Sequence, residues 1–337
     1  MKGFLSIVSV TLGRCISVLG ILLAPQAVWA TTWQATAGAQ TTDEGIQALA
    51  FLAKELWVLA GDSIKWTFPT GEIHTVTFLT PGQNRPPRPG VPGLGGCPGA
   101  TTPSGSLFNG TTCVSSSELV DGGTYTVTFP TVGNFKFVCL VHNNMTGAVH
   151  VLASGPLPHD QAFYDSQALK RRVQLLADGA LLQGQGIATA QQSSVPAVTL
   201  GIGDMAATGG GSDSVSVMRF LLNTIVVRVG DTVEWTNLDP ITPHTVTFGT
   251  EPDPTLLRPP SGTLPDDADG ARRATITSPT QNVHSGFIQA AFQDRVGLAQ
   301  TPLGVTRFRV TFSIPGTFNY ICALHDDIGM VGRVIVH

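Results

Sequence analysis

The chain has 337 residues, room for two domains of ordinary size, with 42% apolar residues, 12% charged residues, 38 glycines and 23 prolines. So many turn formers beside so few charges favour short strands over long helices. The formal charge of −4 excludes the basic excess that a phosphate-binding surface needs, so nucleic acid is not an expected partner.

Residues 1–30 are predicted to be a secretory signal. Lys2 and Arg14 are the only charges there, apolar runs occupy Phe4 to Leu12 and Ile16 to Ala24, and Ala27 to Ala30 offers small residues for cleavage after Ala30. Pro25 and Arg14 break the stretch, which argues against an uncleaved membrane anchor, and no membrane span is expected in the mature chain. Export places the protein in the periplasm or outside the cell, in an oxidising compartment.

The remainder repeats itself. Phe51 to Asp62 is echoed by Phe220 to Asp231, and both run into Trp-Thr pairs at Trp66 and Trp235. His74-Thr-Val-Thr-Phe78 matches His244-Thr-Val-Thr-Phe248, and Tyr125 to Phe129 with Gly133, Phe135 and Cys139 matches Phe308 to Phe312 with Gly316, Phe318 and Cys322. Within each copy the apolar residues alternate, as in Tyr125, Val127 and Phe129, which is the period of a half-buried strand. Gly61-Asp62, Gly133 and Pro315-Gly316 end these runs as turns. The expected fold is all-β: two tandem β-sandwich domains at residues 31–153 and 197–337, joined by a helical linker at 154–196. Asp160 is predicted to cap that helix, Phe163, Leu169, Val173, Leu176 and Ala180 to form its packing face, and Gly184 and Gly186 to end it. Its Lys170-Arg171-Arg172 run is either a solvated face or a docking patch for an acidic partner.

Long Gly/Pro-rich insertions, Pro81 to Gly123 and Glu251 to Thr306, separate the histidine and cysteine regions of each copy. Cys97 and Cys113 fall in the first, where export favours a disulfide contributing about 3 kcal/mol. The second insertion, without cysteines, is expected to be looser.

Two further cysteines hold equivalent places in the repeats. Cys139 is followed by His142 and Met145, Cys322 by His325 and Met330, and each copy adds a distant histidine, His74 or His244. Each set is two imidazoles, one thiolate and one thioether, the donor combination of a type 1 blue-copper site. Two copper ions, one per domain, are therefore expected. A lone Cys or Met is ordinarily core filling, but the same four donors recur in register. Structural zinc does not use Met. His150, His159, His284 and His337 have no counterparts in the other repeat and are taken as ordinary surface or strand residues.

These motifs resemble the cupredoxin family, the small blue-copper proteins that include plastocyanin, amicyanin and pseudoazurin. The loop with four residues between His325 and Met330 is similar to the plastocyanin pattern, and the loop with two between His142 and Met145 to the amicyanin pattern. The resemblance covers about Trp33 to Leu152 and Val198 to His337. It implies Greek-key sandwiches with copper at one end and a one-electron carrier role with redox protein partners. It also implies that His142 and His325 open onto an apolar docking patch, for which Val141, Leu324 and Ile328 are the candidates. Thr75 and Thr245 stand where many members carry Asn; the backbone N–H to the cysteine sulfur is expected to survive and the side-chain tether to be lost.

The enzymes built on this fold would require His-x-His pairs or a histidine directly before the cysteine. Val138 and Ile321 stand there, and His-x-His occurs nowhere. The expectation is a carrier, with no enzymatic activity and no small-molecule substrate. Two alternatives are a copper-handling protein that passes Cu(I) to a partner and an adhesion module whose sites are vestigial.

Overall fold

In a computed structural model of the chain, residues 30–83, 102–252, 264–290 and 305–337 are described, with positions 3, 85 and 97. The predicted signal lies outside the described residues, apart from Gly3 and Ala30. The first repeat supplies β1 (Thr32–Gln40), β2 (Ile46–Leu52), β3 (Glu55–Leu59), β4 (Ser63–Phe68), β5 (Thr77–Phe78), β6 (Ser106–Leu107), β7 (Val114–Ser115), β8 (Gly123–Thr128), β9 (Gly133–Val138) and β10 (Thr146–Leu152). Helix α1 (Gln161–Gln191) follows. The second repeat supplies β11 (Ala197–Thr208), β12 (Gly211–Leu221), β13 (Thr224–Val227), β14 (Thr232–Leu238), β15 (Thr247–Phe248), β16 (Arg272–Ile276), β17 (Val283–His284), β18 (Arg307–Phe312), β19 (Gly316–Ile321) and β20 (Val331–Val336). Among the described residues no helix is long and apolar enough to cross a membrane.

The alternation seen in the sequence sets the two sandwich cores. Ile64, Trp66 and Phe68 of β4 face inward and are fully buried, as are Val233 and Trp235 of β14. Trp66 meets Phe78 and Phe137 edge-on at 6.0 and 5.4 Å, and Trp235 meets Phe248 and Tyr320 at 5.8 and 5.3 Å. The same aromatic knot is thus tied twice, with inner faces packed as two-sheet sandwiches require.

Each sandwich has one sheet of its own, ordered β3-β10-β9-β5-β7 in the first and β13-β20-β19-β15-β17 in the second. The opposing sheets are fused. One ten-stranded sheet runs β16-β18-β14-β11-β12-β2-β1-β4-β8-β6, so equivalent strands lie symmetrically about the β12–β2 junction. There the pairing is antiparallel, Ser214 to Leu49 through Val217 to Ile46. Every residue of β2 is buried, because the junction is covered on both faces. On one face, Ile46, Ala48, Val215 and Val217 pack with Leu175 of α1; on the other, Leu49 and Met218 pack with Ile328.

Asp160 caps α1 as expected, its Oδ1 accepting from the Phe163 N–H at 2.9 Å. The helix does not end at Gly184 and Gly186 but continues to Gln191. The packing face also differs from the expected one. Leu169, Val173 and Leu181 are exposed, while Tyr164, Leu175, Gly179, Gly186 and Ala190 are buried. The reason is closeness: a Cβ on Gly179 would lie 2.3 Å from Ile46 Cγ2, and one on Gly186 would lie 2.3 Å from Leu221 Cδ1. Glycines here let the helix axis approach the sheet, a contact that outweighs their low helix propensity. Of the Lys170-Arg171-Arg172 run, Lys170 and Arg172 lie on the solvated face, while Arg171 turns to pair with buried Asp213 of β12.

Both insertions contribute sheet-edge strands, β6 and β7 in the first and β16 and β17 in the second. Cys97 and Cys113 form the expected disulfide, with Cα atoms 5.2 Å apart. The described part of the second insertion is held instead by charge: Arg309 of β18 pairs with Asp267, Asp269 and Glu234, and Arg307 with Asp269.

Candidate metal centres

His74 stands just before β5 and is fixed by a two-way backbone bridge to Leu119; His244 is bridged to Ile288 in the same way. Cys139 follows directly on β9 and Met145 directly precedes β10, and the loop between them closes through Cys139 N–H to Met145 O at 2.9 Å. In the second domain Cys322 follows β19, Met330 precedes β20, and Cys322 N–H donates to Met330 O at 3.1 Å. The two extra residues of the second loop are accommodated without changing that closure.

These elements bring together the predicted ligands. The donor atoms of His74, Cys139 and His142 lie within 4.8 Å of one another, as do those of His244, Cys322 and His325. In the second centre His244 Nδ1 and His325 Nδ1 are 3.2 Å apart and 3.9 and 3.4 Å from Cys322 Sγ. In the first, Cys139 Sγ is 3.7 Å from His142 Nδ1. Met145 and Met330 are fully buried in the same core clusters as their cysteines. His150 and His159 lie elsewhere, stacked on Trp57 and Phe163, and His284 Nδ1 meets Thr247 Oγ1 at 2.8 Å.

The expected backbone donors are present: Thr75 N–H reaches Cys139 Sγ at 3.4 Å and Thr245 N–H reaches Cys322 Sγ at 3.3 Å. The side-chain tether expected to be lost is also present in another form. Thr75 Oγ1 accepts from Leu140 N–H at 2.7 Å, and Thr245 Oγ1 from Ala323 N–H at 2.8 Å, each pinning the residue after the candidate ligand cysteine.

Burial pushes both cysteine thiols up, but nearby imidazoles reverse it. Hydrogen bonding by His142, with the charges of His142 and His74, holds Cys139 well below the usual thiol range, and the charge of His325 with hydrogen bonding by His244 does the same for Cys322. His244 is lowered by burial yet raised to about 9 by Asp239 and Cys322. Anionic sulfur beside imidazole nitrogen is what a soft, singly or doubly charged metal ion requires. A second observation fits a metal: both ring nitrogens of His74, completely buried, lack any hydrogen-bond partner.

Three features were not read from the sequence. Gly38 in β1 and Gly201 in β11 sit at register shifts with φ of +85° and +62°, and a Cβ on either would lie 2.4 Å from Nε2 of His74 or His244. The bulge glycine is the socket of the distant histidine. Asp239 stands behind His244, its Oδ2 3.7 Å from Nε2, where the first repeat has Thr70. Glu72, two residues before His74, is buried with Oε1 3.1 Å from His142 Nε2 and Oε2 3.7 Å from His325 Nε2. Burial would raise its carboxyl, but His142, together with the charges of His325 and His74, holds it down at about 2. The repeats themselves carried a signal, since these acids are where the copies disagree: Glu72 against Thr242, and Asp239 against Thr70.

Residues 206–337 match the family described as copper binding proteins, plastocyanin/azurin family. A plastocyanin of Synechococcus sp. (strain JA-2-3B'a(2-13)) is 27% identical over 114 residues, 34% of this chain and 60% of that protein's length. Among solved structures, oxidised plastocyanin from the fern Dryopteris crassirhizoma is 21% identical with a TM-score of 0.21, covering 42% of this chain and 99% of its own. Pseudoazurin from Methylobacterium extorquens AM1 is 20% identical with a TM-score of 0.20, covering 42% and 72%. With two His/Cys/His clusters in duplicated sandwiches and a match to the plastocyanin/azurin family of copper-binding proteins over the second, the chain is similar to the cupredoxins.

Proposed function

We propose that this protein is an exported, periplasmic or extracellular electron carrier with two mononuclear type 1 copper centres, and that it is not an enzyme. His74, Cys139, His142 and Met145 would hold one ion, and His244, Cys322, His325 and Met330 the other. The domains we infer are 31–153 and 197–337, with 154–196 between them and a cleaved signal at 1–30. The observation that carries this reading is the same buried His/Cys/His cluster formed twice in register.

Copper bound there would supply a one-electron Cu(I)/Cu(II) couple. The chain's contribution is to fix the donors. Backbone N–H groups stabilise the thiolate, the threonine tethers hold the residue after it, and the bulge glycines seat the distant histidines. His74, Cys139, Met145, His244, Cys322 and Met330 are fully buried and His142 and His325 nearly so, which leaves the donors little contact with solvent. Fixed, dry ligands suit electron transfer and disfavour handing the metal to another protein. The partners are redox proteins, donor and acceptor.

The test is copper content with visible and electron-paramagnetic-resonance spectra of wild type, Cys139→Ser and Cys322→Ser. Two coppers with an intense thiolate band, reduced by about half in each variant, is the expected result. A colourless protein, or copper-dependent oxygen or nitrite consumption, would overturn the reading.

A further inference from the structure

A docking role for His142 and His325 needs their remote ring nitrogens at the surface. Both rings are instead 2% and 4% exposed, and each directs Nε2 to the same carboxylate, that of Glu72. On their other sides the rings meet Cys139 Sγ and Cys322 Sγ through Nδ1 at 3.7 and 3.4 Å. An unbroken line of contacts therefore runs from one cysteine to the other through His142, Glu72 and His325.

The bridge is built into the junction. Thr70 Oγ1 donates to the Glu72 carbonyl at 2.9 Å, and Gly71 N–H donates to Gln40 Oε1 at 3.0 Å, fixing the turn that carries the acid. Gly71 abuts the second ligand loop so closely that a Cβ there would lie 2.7 Å from Ile328 Cγ2. Ile328, expected in a surface patch, is buried with Leu49 and Met218 under this turn. Burying an acid is unfavourable unless it is compensated, and the equivalent position of the second repeat is Thr242. The carboxylate is thus no part of the individual domain's site. It occurs once, where the two sites face each other.

We propose that Glu72 couples the two centres into one redox unit, its carboxylate bridging the remote nitrogens of His142 and His325, so that electrons equilibrate between the sites within one molecule. This rests on the copper-carrier reading above. One electron leaves the reduced centre and arrives at the oxidised one; no bond is made or broken, no proton is released, and no other reactant takes part. The Glu72 charge also favours the more positive oxidised state at both sites, although it belongs to only one domain.

The test begins with copper content, which decides the carrier reading by itself. Potentials are then measured in wild type, Glu72→Gln and Glu72→Asp, with the second site assigned in a Cys139→Ser background. Glu72→Gln is expected to shift both sites about tenfold toward the reduced state, ~59 mV for one electron, and Glu72→Asp much less. In metal-free protein, the ring-nitrogen resonances of both His142 and His325 should move in Glu72→Gln. Flash reduction of wild type with less than one electron per molecule should show redistribution between sites at a rate independent of protein concentration. A copper-loaded protein in which only the first site shifts, or in which redistribution is second order, overturns the coupling and leaves the carrier reading intact. A protein that binds no copper overturns both.

Discussion

Asp213 of β12 accepts from Lys54 Nζ, across the domain junction, at 2.8 Å, while Arg171 Nε of α1 donates to the same carboxylate at 3.0 Å. One fully buried acid thus joins both sandwiches and the helix. Burial pushes its carboxyl up, but Arg171 and then Lys54 outweigh burial and hold it below the ordinary 3.8. Because the folded value is depressed, this stabilisation is complete above the ordinary carboxylate range and is lost as pH falls through the lowered value. Asp213→Asn is expected to cost about 3 kcal/mol near neutral pH, toward the low end for a buried pair because both cations keep some water contact. In denaturant melts the gap to wild type should close as pH drops below about 4. An equal gap at both pH values would mean that Asp213 acts through shape and not through charge.

Gly38→Ala and Gly201→Ala should each empty the copper site of its own domain. Alanine in the left-handed region costs about 1–2 kcal/mol by itself, and the added methyl would displace His74 or His244 from a 2.4 Å approach. Copper analysis and the visible spectrum should show loss confined to one site per variant. Full copper retention in both would show that the histidines have room to withdraw and that the glycines are not their sockets.

Thr75→Val and Thr245→Val keep the side-chain shape but remove the acceptor for Leu140 N–H and Ala323 N–H. A buried amide left without a partner costs about 1–3 kcal/mol. The loop beside the ligand cysteine should loosen, seen as lower stability and faster copper loss to a chelator, and Thr→Ser at either position should restore both. If valine and serine variants behave alike, the hydroxyl has no tethering role.

The candidate ligand sets are legible because their order is local and repeated: Cys139 to Met145 and Cys322 to Met330 are each one loop, and alternation around Trp66 and Trp235 marks their strands. What escaped notice depends on partners distant in sequence. Glu72 is unremarkable until β2 and β12 pair and bring His325 to it. On α1, periodicity weighs Leu169 and Val173 above Gly179 and Gly186, whereas the sheet selects the face that allows close approach. The tether is hidden in the sequence because a threonine hydroxyl performs the task that an asparagine amide would signal.

Joining the two copies through the same strand has a consequence for self-association. A lone sandwich would leave the β2 edge open, with unpaired N–H and C=O groups able to recruit another chain. Here that edge is spent on its own duplicate. Because the contact is self-complementary, two copies satisfy it and a third finds no vacancy. The covalent tandem behaves as a dimer that cannot dissociate by dilution, and either half expressed alone should seek a substitute partner along β2 or β12.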